Sequence, residues 1–143
     1  MRMISKFFDE LAVAELYEIL RTRSEIFVVE QNCAYQDPDG RDYDSLHVFF
    51  MEDGRVRACL RSFMRDSETA QMGRVVTLVH GQGLGEKLLR AGIEEIRAKQ
   101  APKRIFIEAQ CRAAGFYEKA GFKTCSEPFM EDGIPHVGMI LDL

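Results

Sequence analysis

The sequence predicts a mixed α/β domain, a central sheet with helices on both faces. Three observations carry this. The inferred elements run β-α-(α)-β-β-β-α-β-α-β-β, alternating where a layered sheet must be covered. One hairpin is marked by Asp53-Gly54 between two apolar runs. The stretch Arg74-Val-Val-Thr-Leu-Val-His-Gly-Gln-Gly-Leu-Gly-Glu-Lys-Leu-Leu89 passes from a β-branched run through three glycines into helical periodicity.

In chain order, Met3 to Phe8 reads as a first strand, and Asp9 as the N-cap of a helix with Glu10 in its first turn. Leu16, Ile19, Leu20, Arg23, Ile26 and Phe27 fall at helical spacing, and the helix runs on towards Gln31. Residues 32–44 are polar and turn-rich, fixed as a loop by Pro38 and Gly40. Leu46 to Met51 and Val56 to Met64 form the hairpin strands. In the second of these, Val56, Ala58 and Leu60 face one way and Arg55, Arg57, Cys59 and Arg61 the other. Arg65 to Thr69 connects to the central strand. After the glycines, Leu84, Leu88, Leu89, Gly92, Ile93 and Ile96 mark the apolar side of a helix ending before Pro102. Arg104 to Ala109 is a strand, and Arg112 to Ala120 a short helix stopped by Gly121. Phe122 to Met130 and His136 to Leu143 are the last strand pair.

At 143 residues the chain suits a single domain, spanning 1–143, that buries roughly 68% of its unfolded surface without disulfide or metal support. A formal charge of −4 and the lack of a long Lys/Arg run argue against nucleic acid as a partner. No run approaches the roughly 18 apolar residues of a membrane span, and no signal peptide is visible. Cys33, Cys59, Cys111 and Cys125 contain no C-x-x-C pair. They fit reduced thiols in a cytoplasmic protein, and no metal site is expected.

The strand–glycine–helix stretch has the composition of an anion site. Glycines let a ligand approach the backbone, and the first amides of a helix point free N–H groups and positive dipole back at the loop. A tight turn is the plainer alternative. The spacing departs from the P-loop, since no hydroxyl follows Lys87, and from the dinucleotide fingerprint, since the glycines run Gly81-x-Gly83-x-Gly85. It resembles the pyrophosphate loop of the GNAT acetyltransferase superfamily, Arg/Gln-x-x-Gly-x-Gly/Ala, with His80 where Arg or Gln is usual. Gln110-Cys-Arg-Ala-Ala-Gly-Phe-Tyr-Glu-Lys-Ala-Gly-Phe122 resembles that family's second signature, Tyr-x-Lys-x-Gly-Phe. Arg23-x-x-x-Phe27-Val-Val-Glu-Gln-x-Cys33-x-Tyr35-x-Asp37-x-Asp39-Gly40-x-Asp42 and Glu131-Asp-Gly-Ile-Pro-His136 with Gly138-Met139 resemble its ElaA-like subgroup.

The resemblance implies a mostly antiparallel GNAT-like sheet with a splayed strand pair holding acetyl-CoA as co-substrate. It also implies transfer of acetyl by direct attack of a primary amine, from a small molecule or a peptide. It assigns Val75, Val76 and Thr77 to the pantetheine, His80, Gly81, Gln82, Gly83, Leu84 and Gly85 to the pyrophosphate, and Gln110 to the cofactor. Tyr117 lies where the family's tyrosine meets the thioester sulfur; a phenol is protonated at neutral pH and can donate to a departing thiolate. The alternative is that Phe116, Tyr117 and Phe122 are core aromatics. Glu30 and His136 are the candidate bases for the acceptor ammonium, against roles in pairing with an arginine or holding a turn. Asp37, Asp39, Asp42 and Asp44 read mainly as turn formers on a solvated loop, with some acceptor contact. Cys33 and Cys111 read as core packing. The rival to an enzyme is a non-catalytic acyl-CoA-binding or regulatory module on the same fold. Dimerisation is common for such domains.

Overall fold

The computed structural model describes all 143 residues. Eight strands form one sheet in the order β1-β2-β3-β4-β5-β8-β6, with β7 also on β8. They are β1 (Arg2–Phe7), β2 (Leu46–Glu52), β3 (Arg55–Met64), β4 (Thr69–Thr77), β5 (Arg104–Gln110), β6 (Lys123–Thr124), β7 (Phe129–Glu131) and β8 (Ile134–Asp142). All neighbours are antiparallel except β4 and β5. That parallel pair needs a crossover, and helix α2 (Leu84–Lys99) supplies it. Strand 122–130 is not continuous as the sequence suggested. Pro128, which cannot donate to a ladder, lies in the gap between β6 and β7.

One face of the sheet carries α2. Leu84, Leu88, Leu89 and Ile96 are buried there with Leu46, Leu60, Met72, Ile105, Ile107 and Met139. Gly92 lets the helix sit close, because a Cβ there would lie 2.6 Å from Leu60 Cδ2. The short helix α3 (Ala114–Glu118) delivers Tyr117 to the same core. The opposite face carries α1 (Val13–Ser24), whose Ile19 packs with Ile4, Ile26, Phe49, Val56, Cys59 and Val76.

Two local expectations are corrected. Asp9 does not cap α1; residues 8–10 form a 3₁₀ turn and the helix starts at Val13. The carboxylate three residues inside decides this, since Glu15 Oε1 accepts from Ala12 N–H at 2.7 Å. In β3, Val56 does not share a face with Ala58 and Leu60. The pairing slips from Phe50↔Ala58 to Met51↔Val56. This bulge at Arg57 breaks the two-residue period and turns Val56 towards Cys59 and α1. Past Ser24 the helix continues as a wider π turn, Glu25–Glu30, ending on Glu30.

Candidate active site

The parallel ladder between β4 and β5 stops early. Thr69↔Arg104 to Met72↔Ile107 are paired, and nothing beyond them is. Arg74, in the left-handed region at φ 50°, bends β4 just past the last pair. Val75 to Thr77 then diverge from Ala109 and Gln110. Their β3 side stays bonded, with Val76 opposite Cys59 and Thr77 opposite Ala58, so the β5 side of β4 is an unpaired edge. The divergence opens a cleft of about 1020 Å³, at the upper end of the roughly 300–1,000 Å³ usual for small-molecule sites.

Thr77 leads into the glycine loop. Gly81 and Gly83 have φ of 75° and 74°, the region glycine enters without a Cβ penalty. Gly83 caps α2, so the first-turn amides of Leu84, Gly85 and Glu86 face the loop without helical partners. Val75, Val76, Thr77, His80, Gly81, Gly83, Leu84, Gly85, Gln110, Tyr117, Glu30 and His136 all line this one cleft. Gln82 does not; its side chain borders a smaller surface pocket with Lys87 and Met1.

Tyr117 is 6% exposed, with Phe116 and Phe122 edge-on at 5.1 and 5.8 Å. Its ring is part of the core and also lines the cleft. Burial alone raises its pKa well above the ordinary phenol value, so it keeps its proton at any physiological pH. Gln110, at the end of β5, donates Nε2–H to Gln31 Oε1 at 3.3 Å and accepts from Arg112 Nε at 2.9 Å.

The two candidate bases lie in different surroundings. Glu30 accepts from His80 Nε2 at 3.0 Å, and both side chains are exposed. His136, opposite Gln110 in the β5–β8 ladder, is half-buried beneath the Phe129 ring. Its Nδ1 lies 2.7 Å from the Ile134 carbonyl oxygen, which can only accept. The neutral ring must therefore carry its proton on Nδ1, leaving the Nε2 lone pair free. Nε2 sits 3.7 Å from Glu131 Oε2. Burial, then the adjacent carboxyl of Glu108, push the Glu131 pKa upward, while His136 pulls it down. Sequence reading missed Glu131 as the partner of His136 and Glu108 as the neighbour of Glu131. Glu131 belonged to a quoted motif, but only the β5–β8–β7 pairing sets it against Glu108.

The aspartate loop is also corrected. Asp37 and Asp42 are buried, not solvated turn formers. Arg23, 1% exposed on α1, donates from Nε to Asp37 Oδ2 at 2.9 Å and from Nη1 to Asp42 Oδ1 at 2.7 Å. Arg61 on β3 binds both oxygens of Asp39 at 2.7 Å and reaches Asp42 at 3.1 Å. Arg74, at the bend of β4, contacts Asp37 at 2.8 Å and Asp39 at 3.3 Å. Three elements thus clamp loop 32–44 as the wall of the cleft. The hydrogen bonds of Arg61, outweighing burial, hold the Asp39 carboxyl far below the usual range. Burial raises Asp42, but bonds and charges from Arg23 and Arg61 outweigh it and leave the pKa lowered. Asp44 takes no part in this network. Cys33 is likewise not core: it lines the cleft, with Sγ 3.5 Å from the Asp132 carbonyl. Cys111 does pack against the main core.

A splayed parallel pair, a glycine loop at a helix N-terminus and a tyrosine on the next short helix form one continuous site. Residues 18–143 match the family model described as an acetyltransferase (GNAT) domain. The chain belongs to the GNAT acetyltransferase family. Within this family it is similar to protein ElaA of Escherichia coli K12, 36% identical over 137 residues that cover 92% of this chain and 90% of ElaA. An acyl-CoA N-acyltransferase structure from Pseudomonas aeruginosa superimposes with a TM-score of 0.91 at 33% identity, covering 98% of this chain and 99% of the other. A GNAT acetyltransferase from Elizabethkingia anophelis, solved with acetyl-CoA bound, shares the fold with a TM-score of 0.67 at 16% identity, covering 99% and 97%. This GNAT domain has no helix long and apolar enough to cross a membrane, and no group of three or more His, Cys, Asp or Glu side chains placed to hold a metal ion.

Proposed function

We propose that this protein transfers an acetyl group from acetyl-CoA to a primary amine by direct attack, with no acyl-enzyme intermediate. The observation that carries this reading is the wedge between β4 and β5, which joins the glycine loop and Tyr117 in one cleft. Acetyl-CoA supplies a thioester whose carbonyl carbon accepts the amine as the C–S bond breaks.

The chain's residues fit that co-substrate. The unpaired edge of Val75 to Thr77 offers backbone groups to the pantetheine amides as a neighbouring strand would. The loop from His80 to Gly85 offers N–H donors to the pyrophosphate. A helix dipole alone contributes about 0.3–1 kcal/mol, so charge-assisted amide bonds do most of the holding. Gln110 reaches the cofactor from β5. The acceptor enters as an ammonium and loses two protons on becoming an amide. His136 Nε2, with its lone pair free, takes the first as the nucleophile forms. Tyr117 gives its proton to the leaving sulfur, and the second amine proton restores the phenol. Glu30, bonded to His80, is the less available base and holds the loop residue instead.

The test is thiol release from acetyl-CoA with a panel of amines, comparing the wild type with Tyr117→Phe. Amine-dependent release that falls at least tenfold in the variant supports both the reaction and the acid role. Tight acetyl-CoA binding with no release for any amine favours the binding module. If acetyl-CoA does not bind, the assignment of residues 74–89 is wrong.

A further inference from the structure

The cleft extends beyond the residues assigned to acetyl-CoA, over the sheet face away from α2. Phe63, Gln71 and Phe106 are opposite one another across β3, β4 and β5 and so share that face, with Glu108 two residues further along β5. Two guanidinium groups lie over these aromatics. Arg41 is centred 4.8 Å from the Phe63 ring and Arg65 4.4 Å from the Phe106 ring. Arg41, Arg65 and Phe63 line the cleft. Unlike Arg23, Arg61 and Arg74, which are paired to Asp37, Asp39 and Asp42, Arg41 and Arg65 enter no ion pair, by a 4.0 Å limit. Further along the same cleft the lining is acidic, with Glu108, Glu131 and Asp132, and includes His136. The chamber is bipolar.

We infer that the acceptor is an amine that also carries a carboxylate, its ammonium end towards Glu108, Glu131 and His136 and its carboxylate end on Arg41 and Arg65. This deepens the acetyl-transfer reading and rests on it for which end reacts. A guanidinium over a ring is held by cation–π attraction, and with no ion-pair partner it keeps N–H donors that can meet a carboxylate bidentately. Spacing sets the length. Phe106 and Glu108 are two residues apart on one strand, roughly 7 Å between their Cα atoms, a larger separation than the two bonds between the amine nitrogen and carboxylate carbon of an α-amino acid. An α-amino acid using its α-amine is too short; an ω-amino acid, or the side-chain amine of free lysine, spans the gap.

The probes are 5-aminopentanoate and its uncharged amide, 5-aminopentanamide. Their dissociation constants are measured by calorimetry on the CoA-loaded protein, wild type and Arg41→Gln/Arg65→Gln. The expected result is that the wild type binds the acid at least tenfold tighter than the amide and that the ratio falls towards one in the double variant. Both arginines are exposed, so a folded variant is expected, and circular dichroism checks it. Equal affinity for the two probes, no binding of the acid, or an acid preference that survives the double substitution overturns the inference. So does a double variant whose main defect is weaker CoA binding, because the guanidiniums would then serve the coenzyme's phosphates. Failure of the transfer reading is read separately, from acetyl-CoA binding and the Tyr117→Phe comparison.

Discussion

Replacing Arg23 with Gln tests whether the clamp on loop 32–44 is structural. The guanidinium is 1% exposed and makes charge-assisted bonds of 2.9 Å to Asp37 and of 2.7 and 3.2 Å to Asp42. Removing one partner of a buried ion pair costs about 3–5 kcal/mol, because the surviving charge is left without compensation. Here the survivors keep other partners, Asp37 with Arg74 at 2.8 Å and Asp42 with Arg61 at 3.1 Å. The expected loss is therefore at the lower end, about 3 kcal/mol, or roughly 10 °C in Tm for a domain of this size. Urea denaturation at pH 7 measures it. The pH dependence gives a second check. The Asp42 pKa is depressed in the folded state, so its stabilisation is fully present above the unfolded value of about 3.9 and is lost as pH falls through the folded one. Arg23 is a main cause of that depression. The gap between wild type and variant should hold from pH 7 to about 5 and narrow below about 4. A loss under about 1 kcal/mol, or a gap that widens in acid, would refute the reasoning. If stability is kept and turnover collapses, Arg23 acts in the chemistry and not in the clamp.

Four further predictions follow from the site. Tyr117→Phe should lower kcat by ten- to a hundredfold with Tm within about 2 °C of wild type, because no hydrogen bond contributes to its raised pKa and the ring contacts survive; a large Tm loss would mean that the hydroxyl is structural. Gly85→Ala should fold normally, since its Cβ would meet the Phe116 ring at an ordinary 3.5 Å, yet raise KM for acetyl-CoA more than tenfold by blocking backbone approach; an unchanged KM removes Gly85 from the phosphate site. Glu131→Gln should stabilise the protein slightly at pH 7, by under about 1 kcal/mol because the side chain is half exposed. Its pKa is raised in the folded state, so the wild-type carboxylate costs stability as pH climbs through that value, and the variant's advantage should vanish below about pH 4 in denaturant titrations. His136→Asn should lower kcat/KM at pH 7 by at least tenfold, whereas Glu30→Gln should leave it within about threefold; the reverse pattern would exchange the two assignments.

Features readable from the sequence were those set by neighbours a few residues apart. The Asp53-Gly54 turn, the apolar stripe of α2 and the passage from Val75 through Gly83 to Leu84 each depend on local backbone preference and side-chain period. They located the loop, the helix terminus and the order of elements, while the Tyr117 segment was legible through its resemblance to a family signature. Other features depend on what lies across the sheet. The bulge at Arg57 follows from strand register, so simple alternation misplaced Val56. The aspartates of loop 32–44 have turn-forming composition, but their charges are matched by arginines from α1, β3 and β4, which no local pattern reports. Glu30 and His136 looked equivalent in the sequence. Tertiary structure separated them by their partners, giving Glu30 to His80 and setting His136, with its Nε2 lone pair free, beside Glu131. The sequence determined which groups the protein carries and the local frames that hold them; folding decided which charges are neutralised and which stay unpaired, because pairing acts over a few ångströms in space at any separation along the chain.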